Sequence, residues 1–379
     1  MELDTLTIVA LVLPLVLRND PIPQHDSILT GQLYYREVMK SPSSNRFSNV
    51  ARMDKETFIL LKNFLYQHGR LRRSKTINIG QKIMIFINVL IGHTNRQTAE
   101  RWQHSGSTIS LIIHEVSESF RACSHLILIR PKLGDPVQNT IAIDPTLSPF
   151  FDNCIGAIDG VHISAFVPQE EHKVFIDRKK NLTQNVLGAV NFDMTFSYVL
   201  TGWEGSAHDG RVYEDAKTKG FPTVDGKFFL GDAGYALSRT CLTPYRGVRY
   251  HLKEFNAGNA GGPRNAKELY NLKHSSLRNV VERCFGVMKK RFPILVVMPS
   301  FYYPYQCVLV SCCFLLYNFI RRNQLYEDDF FIGVDADIAA AVLDSVAELD
   351  DVGGPAIRQW RDGIANSMWL AYQAHLGGN

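Results

Sequence analysis

The chain has no C-x-x-C pair and no zinc-finger spacing among its seven cysteines (Cys123, Cys154, Cys241, Cys284, Cys307, Cys312, Cys313), which sets aside the usual structural zinc modules. Several of them lie in apolar runs, as reduced core thiols do, so a cytosolic or nuclear setting is expected. No targeting or membrane segment is expected near the start of this sequence either. Residues 5–17 are apolar, but shorter than the roughly 20 residues needed to span a bilayer. Glu2 and Asp4 stand where a signal peptide carries positive charge, and no small-residue cleavage site follows. This run reads as a helix packed on the body, and no membrane partner is expected. No internal repeat is detectable, so a solenoid is not expected.

What is present is an ordinary globular composition, 45% hydrophobic and 21% charged over 379 residues, long enough for two domains with full cores. The net charge of +4 hides a segregation. Residues 324–379 hold ten acids against Arg358 and Arg361, a balance of −8, so the preceding 323 residues carry +12. A basic body suits a polyanionic partner, although a basic surface is often only solvated.

Residues 18–53 are polar and read as a connector with one short helix near 33–39. Asp54 can cap a helix carrying Phe58, Leu61, Phe64 and Leu65. Arg70, Arg72, Arg73 and Lys75 form a basic connector before a buried helix at 81–91. Thr94-Asn95-Arg96-Gln97 fits a capping box. After the His104-Ser105-Gly106 turn, Ser107 is expected to cap a second helix that buries Ile109, Ile113, Val116 and Phe120. Helix, tight turn and helix fit a helix-turn-helix, with Thr108, Ser110 and His114 towards a DNA groove and Arg96 and Arg101 alongside. They fit a plain helical hairpin equally well.

Prolines and glycines at 124–149 place a boundary there. The expected layout is a helical region at 1–125, a linker at 126–150, an α/β unit at 151–323 and an acidic helical tail at 324–379. The tail's best helical stretches are 338–346 and 364–376. Strands are expected at 153–166, 185–190 and 195–200 (the last two a hairpin), at 228–230, and as a short fifth at 248–252. A glycine-rich loop at 256–265 precedes a helix running to Phe292, with the apolar seam Val281, Phe285, Met288 and Phe292. Another buried helix is expected at 307–320.

Chemistry concentrates in three places. Gly156-Ala157-Ile158-Asp159-Gly160 sets one carboxylate in an apolar strand. Phe229-Leu230-Gly231-Asp232-Ala233-Gly234 repeats that pattern. A buried carboxylate must be neutralised, paired or bound to a cation; the plainer reading of either one alone is a strand-end turn. Glu282 lies about 100° around from the helix seam, with Arg278 and Lys289 near the same side. A salt bridge to Arg278 one turn earlier is the plainer reading of Glu282. One Asp on the first strand, one after the fourth and a Glu on a late helix match an RNase H-like mixed sheet. Three carboxylates suit Mg²⁺ or Mn²⁺ over zinc.

These blocks resemble those of PIF/Harbinger-type DDE transposases and the nucleases derived from them. The blocks are Gly156 to Ile163, Gly231 to Tyr235 and Val281 to Phe292, supported by Gln184-Asn185-Val186-Leu187, Gly202 to Asp209 and Leu316 to Arg321. The resemblance covers roughly residues 30–323. It implies that Asp159, Asp232 and Glu282 are a metal-binding catalytic triad for a divalent ion, and that the helical region binds DNA. It also implies a nuclear protein with DNA and a Myb-like protein as candidate partners; a homo-oligomer is a further candidate assembly, which the sequence does not decide. Arg70, Arg72, Arg73, Lys75, Arg96, Arg101, Thr108, Ser110 and Lys289 are the candidate DNA contacts. Asn191 stands where the family often has Asp, outside the triad. His208-Asp209 is either an auxiliary metal contact or a helix-capping turn.

The expected function is metal-dependent cleavage of phosphodiesters at transposon ends. Water attacks first, and the freed 3′-OH then attacks target DNA. The alternative is a non-cutting nuclear adaptor that keeps the fold and binds DNA or a protein. Acid/base glycoside chemistry would need only two of the acids and no basic body.

Overall fold

The computed structural model describes residues 24–250, 262–324, 329–332, 334 and 353–377. The expected helices at 5–17 and 338–346 lie outside them, as does most of the 256–265 loop.

Six helices come first: α1 (Gly31–Lys40), α2 (Ser44–Ala51), α3 (Lys55–Gln67), α4 (Ile79–Leu90), α5 (Asn95–Trp102) and α6 (Gly106–Ala122). Local capping fixes most of their starts. Asp54 accepts from Thr57 N, and Thr94 with Gln97 closes the expected capping box. The cap of α6 is Ser105, not Ser107; Ser105 is extended and its hydroxyl accepts from Thr108 N, so the helix begins two residues earlier than its sequence suggested. The stretch at 18–53 holds two helices where one was expected. Phe47 and Ala51 are buried in α2 and Val50 packs partly against the core, while its other positions are polar.

The five-stranded sheet runs in the order β3-β2-β1-β4-β5. Its strands are β1 (Cys154–Ser164), β2 (Thr183–Val190), β3 (Phe196–Glu204), β4 (Phe228–Leu230) and β5 (Cys241–Leu242). The first three form an antiparallel meander, and β4 and β5 add in parallel. The fifth strand lies earlier than expected: Val248 to Tyr250 are outside regular structure, whereas Cys241–Leu242 bury both side chains beside β4.

Helix α7 (Asp209–Thr218) covers one sheet face, packing Val212, Tyr213 and Ala216 on Ile158, Leu187 and Phe229. Helix α8 (Ala266–Arg291) covers the other with Val281, Phe285 and Met288, all buried. Helix α9 (Tyr303–Asn323) is long and apolar enough to cross a membrane by composition, yet it is a core helix. Its buried Asn318 accepts from Phe196 N at 2.8 Å and donates to Phe196 O at 2.7 Å, completing the bonding of β3. The ring of Phe319 meets Phe64 of α3 at 5.2 Å, and one hydrophobic core runs from the first helices through the sheet. The last helix, α10 (Pro355–Gly377), packs on α8. Its Arg361 is buried over the Tyr245 ring at 4.0 Å and donates to Thr243 O and Pro244 O.

Candidate active site

Strand register brings the two aspartates together. Ala157 of β1 stands opposite Leu230 of the parallel strand β4. Asp159 and Asp232 each follow that pair by two residues, so they leave the sheet level with one another. The period of two also puts Asp159 on the face of Ala157, the face that α8 covers. Helix α8 then delivers Glu282 and, one turn earlier, Arg278.

Arg278 joins these elements. Its Nη1 donates to Asp159 Oδ2 at 2.9 Å, its Nη2 to Glu282 Oε1, and its Nε to the Tyr250 hydroxyl at 2.9 Å. The Arg278 side chain is only 10% exposed. The i−4 pair with Glu282 noted in the sequence therefore exists, but it is enclosed and shared with Asp159. Asp232 makes no ion pair among the contacts described; its Oδ1 accepts from Gly234 N at 2.8 Å.

Burial pushes the Asp159 carboxyl up; Arg278 pulls it back, while Asp232, Glu282 and Asp209 raise it further. For Arg278 burial opposes the charge, but Tyr250, Asp159, Glu282 and Asp232 together hold it well above its ordinary value. The acids thus share one electrostatic neighbourhood.

Asp209, the first residue of α7, is the fourth acid. It accepts from Asn185 Nδ2 at 2.8 Å and lies against Gly160, where a Cβ would meet its Oδ1 at 2.2 Å. Burial raises its carboxyl and the Asn185 bond lowers it. His208 occupies the N-cap of α7 without a side-chain cap bond.

Among the described residues no three His, Cys, Asp or Glu side chains form a finished metal cage. Arg278 stands between Asp159 and Glu282 and is paired with both. The donor chemistry nevertheless fits a hard divalent cation: carboxylate oxygens from three elements, with no thiol or imidazole among them. Two buried polar atoms here also lack a partner, Asn185 Oδ1 and the Tyr235 hydroxyl.

The proposed DNA contacts are dispersed. Arg70, Arg72, Arg73 and Lys75 are exposed on the α3–α4 connector, with Arg72 stacked on Tyr66 at 4.7 Å. Arg96 and Arg101 are exposed on α5, Arg101 lying over Tyr34 at 3.7 Å. Thr108 and Ser110 make local bonds, to Ser105 and to Asn95 and Gly106 respectively. His114 stacks on Tyr305. Lys289 is half-buried, two turns beyond Glu282 on α8, and burial lowers its ammonium, with Lys179 adding to the effect.

Sequence reasoning passed over the β1–β2 connection. Asp177 Oδ1 accepts from Lys179 N and Asn181 N, closing a tight turn that carries Arg178, Lys179 and Lys180. A small core of Ala165, Val167, Phe175, Leu182 and Tyr303 anchors it. Three successive cations between two strands were the available signal. Arg178 acts electrostatically on Asp209, helping to lower its carboxyl.

Comparison with known proteins adds to this geometry. Residues 158–318 match the DDE superfamily endonuclease family, a span containing Asp159, Asp232 and Glu282; residues 26–122 match a domain of unknown function, DUF8040. The chain is 28% identical over 202 residues to Protein ALP1-like of Arabidopsis thaliana, covering 46% of this chain and 45% of that one. It is 26% identical over 144 residues to the Homo sapiens protein named "Putative nuclease HARBI1", or 37% of each chain. The chain thus spans less than half the length of these relatives. No solved structure matches. The endonuclease match over the acid-bearing elements, together with these relatives, makes the chain similar to Harbinger-type DDE transposase-like proteins.

Proposed function

We propose that the protein is a metal-dependent DNA endonuclease or transposase with an RNase H-like catalytic unit, in which Asp159, Asp232 and Glu282 hold the divalent ion. The observation that carries this reading is the shared neighbourhood of acids from β1, the end of β4 and α8. A structural core gains nothing from gathering carboxylates that repel one another. Mg²⁺ or Mn²⁺, when bound, would supply the positive charge that offsets the developing charge of a phosphoryl transfer, two ions being the usual number.

The chain's own residues do the rest. Asp159 is fixed by its strand and by Gly160 N, which donates to its Oδ1 at 3.0 Å. Asp232 is held by the Gly234 turn, and Glu282 by a helix buried along its length. Lys289 and the Arg178 to Lys180 turn offer cations to DNA phosphates. The exposed connector from Arg70 to Lys75 and the α5–α6 pair offer a second DNA surface. On this reading water opens a phosphodiester at a transposon end, and the freed 3′-OH attacks target DNA in a nuclear setting. A Myb-like protein is the proposed partner, and a homo-oligomer the proposed assembly.

One observation favours a second reading, the non-cutting adaptor: Arg278 is already paired with two of the three acids. The test is nicking of DNA carrying the element's own terminal repeats, with and without Mg²⁺ or Mn²⁺. Metal-dependent nicks support the enzyme, and binding without nicks supports the adaptor.

A further inference from the structure

We propose that Arg278 is the acid cluster's resident cation: its guanidinium holds Asp159 and Glu282 in the metal-free protein and competes with a divalent ion for the same carboxylates. This rests on the reading of those acids as metal ligands.

The geometry assigns the role. Asp159 accepts from Gly160 N through Oδ1 and from Arg278 Nη1 through Oδ2, so a guanidinium already sits on the carboxylate that a metal ion would use. Glu282 gives Oε1 to Arg278 Nη2, and Tyr250 steadies Nε. The fork therefore spans a strand and a helix, a match that suits the planar donors of Arg and not the point charge of Lys. Leaving two such enclosed carboxylates without a cation is costly, because their hydration is lost and they repel. Placing a divalent ion and a guanidinium on the same two carboxylates is costly as well, since both are positive. One cation must yield. Arg278 can rotate about its flexible stem, whereas the acids are fixed by β1 and α8. Arg278 thus preserves the site while no ion is bound, and sets the concentration of ion needed to fill it.

The experiment measures Mn²⁺ binding by calorimetry and thermal unfolding of the full chain, for wild type, Arg278→Gln, Arg278→Lys and Asp232→Asn. Arg278→Gln should unfold several degrees lower without metal, bind Mn²⁺ about tenfold more tightly than wild type, and gain more from added Mn²⁺. Arg278→Lys, which keeps the charge and loses the fork, should fall between. If Arg278→Gln binds Mn²⁺ no more tightly than wild type, or more weakly, Arg278 positions the ligands and the competition is overturned. Should Arg278→Gln fail to fold, Arg278→Lys decides, and affinity equal to or below wild type overturns the proposal. If wild type shows no saturable Mn²⁺ binding that Asp232→Asn removes, the metal reading itself falls, and the competition with it.

Discussion

Ala157 of β1 faces Leu230 of β4 across a parallel register, and this pairing makes neighbours of Asp159 and Asp232, which lie 73 residues apart in the chain. The bulge at Gly156, where a Cβ would meet Val190 O at 2.1 Å, lets β1 keep β2 and β4 in register at once.

Gly160 is the next residue on that strand, and its missing side chain makes room for Asp209 and Asn185. In Gly160→Ala the new methyl would press on Asp209 Oδ1 at 2.2 Å and Asn185 Oδ1 at 3.0 Å. We expect a loss of about 1–3 kcal/mol, as for overpacking in general, with a drop in any cleavage larger than stability explains. Chemical denaturation and nicking on the same preparation check this. A variant as stable and active as wild type would show that the Asp209 contact carries no constraint.

Two basic surfaces make separable predictions about DNA. Replacing Arg70, Arg72, Arg73 and Lys75 together should lower affinity for all duplexes alike and flatten the dependence of affinity on salt, because fewer counterions are released. Replacing Arg178, Lys179 and Lys180 should flatten it too, and should also cut nicking of DNA that is already bound, since Arg178 acts electrostatically on Asp209. Binding titrations at several salt concentrations, paired with nicking at saturating protein, separate the two. Unchanged salt dependence in both variants would leave these cations as ordinary solvated surface.

His274 gives the fold a dependence on pH. It is fully buried, with Nε2 on Leu242 O at 3.1 Å and Nδ1 facing the Tyr250 hydroxyl. Burial holds it down to about 3, from an ordinary value of 6.5. Between those values the unfolded chain binds a proton that the folded chain does not, so stability falls as pH drops below about 6.5 and rises on return. His274 should therefore lower the melting temperature from pH 7 to pH 5, against the raised Asp159 and Asp209 carboxyls, which act in the opposite sense, and His274→Gln should remove that contribution while lowering stability at neutral pH. An unaltered slope in the variant would assign the pH dependence to other groups.

The two aspartates were legible in the sequence because each sits in a short apolar block beside glycine, and Glu282 because it flanks the apolar seam of a helix; the order of the three along the chain matches the strand and helix order observed. The capping of α3 and α5 and the seam of α8 were legible for the same reason: they are local. What sequence could not supply was partnership. Arg278 and Glu282 one turn apart suggested a surface pair, and only the packing of α8 against β1 turns it into an enclosed bridge to Asp159. The fifth strand was misplaced to 248–252 because Cys241–Leu242 is too short to show a period. Helix α2 was overlooked because Phe47 and Ala51 are its only buried positions. Helix α10 packs through Trp360 on Phe228 and through Arg361, contacts that the acidic composition around it obscured.

The central claim is tested most directly by comparing wild type with Asp232→Asn in a nicking assay on terminal-repeat DNA, in Mg²⁺ and Mn²⁺, with any partner protein present. The substitution removes a charge and changes little in volume. The account predicts metal-dependent nicking by wild type, a loss of orders of magnitude in the variant, DNA binding retained, and metal-free stability held or raised as repulsion among the acids is relieved. Equal nicking by both proteins would remove Asp232 from the mechanism, and no nicking by either would contradict the enzyme reading and leave the adaptor.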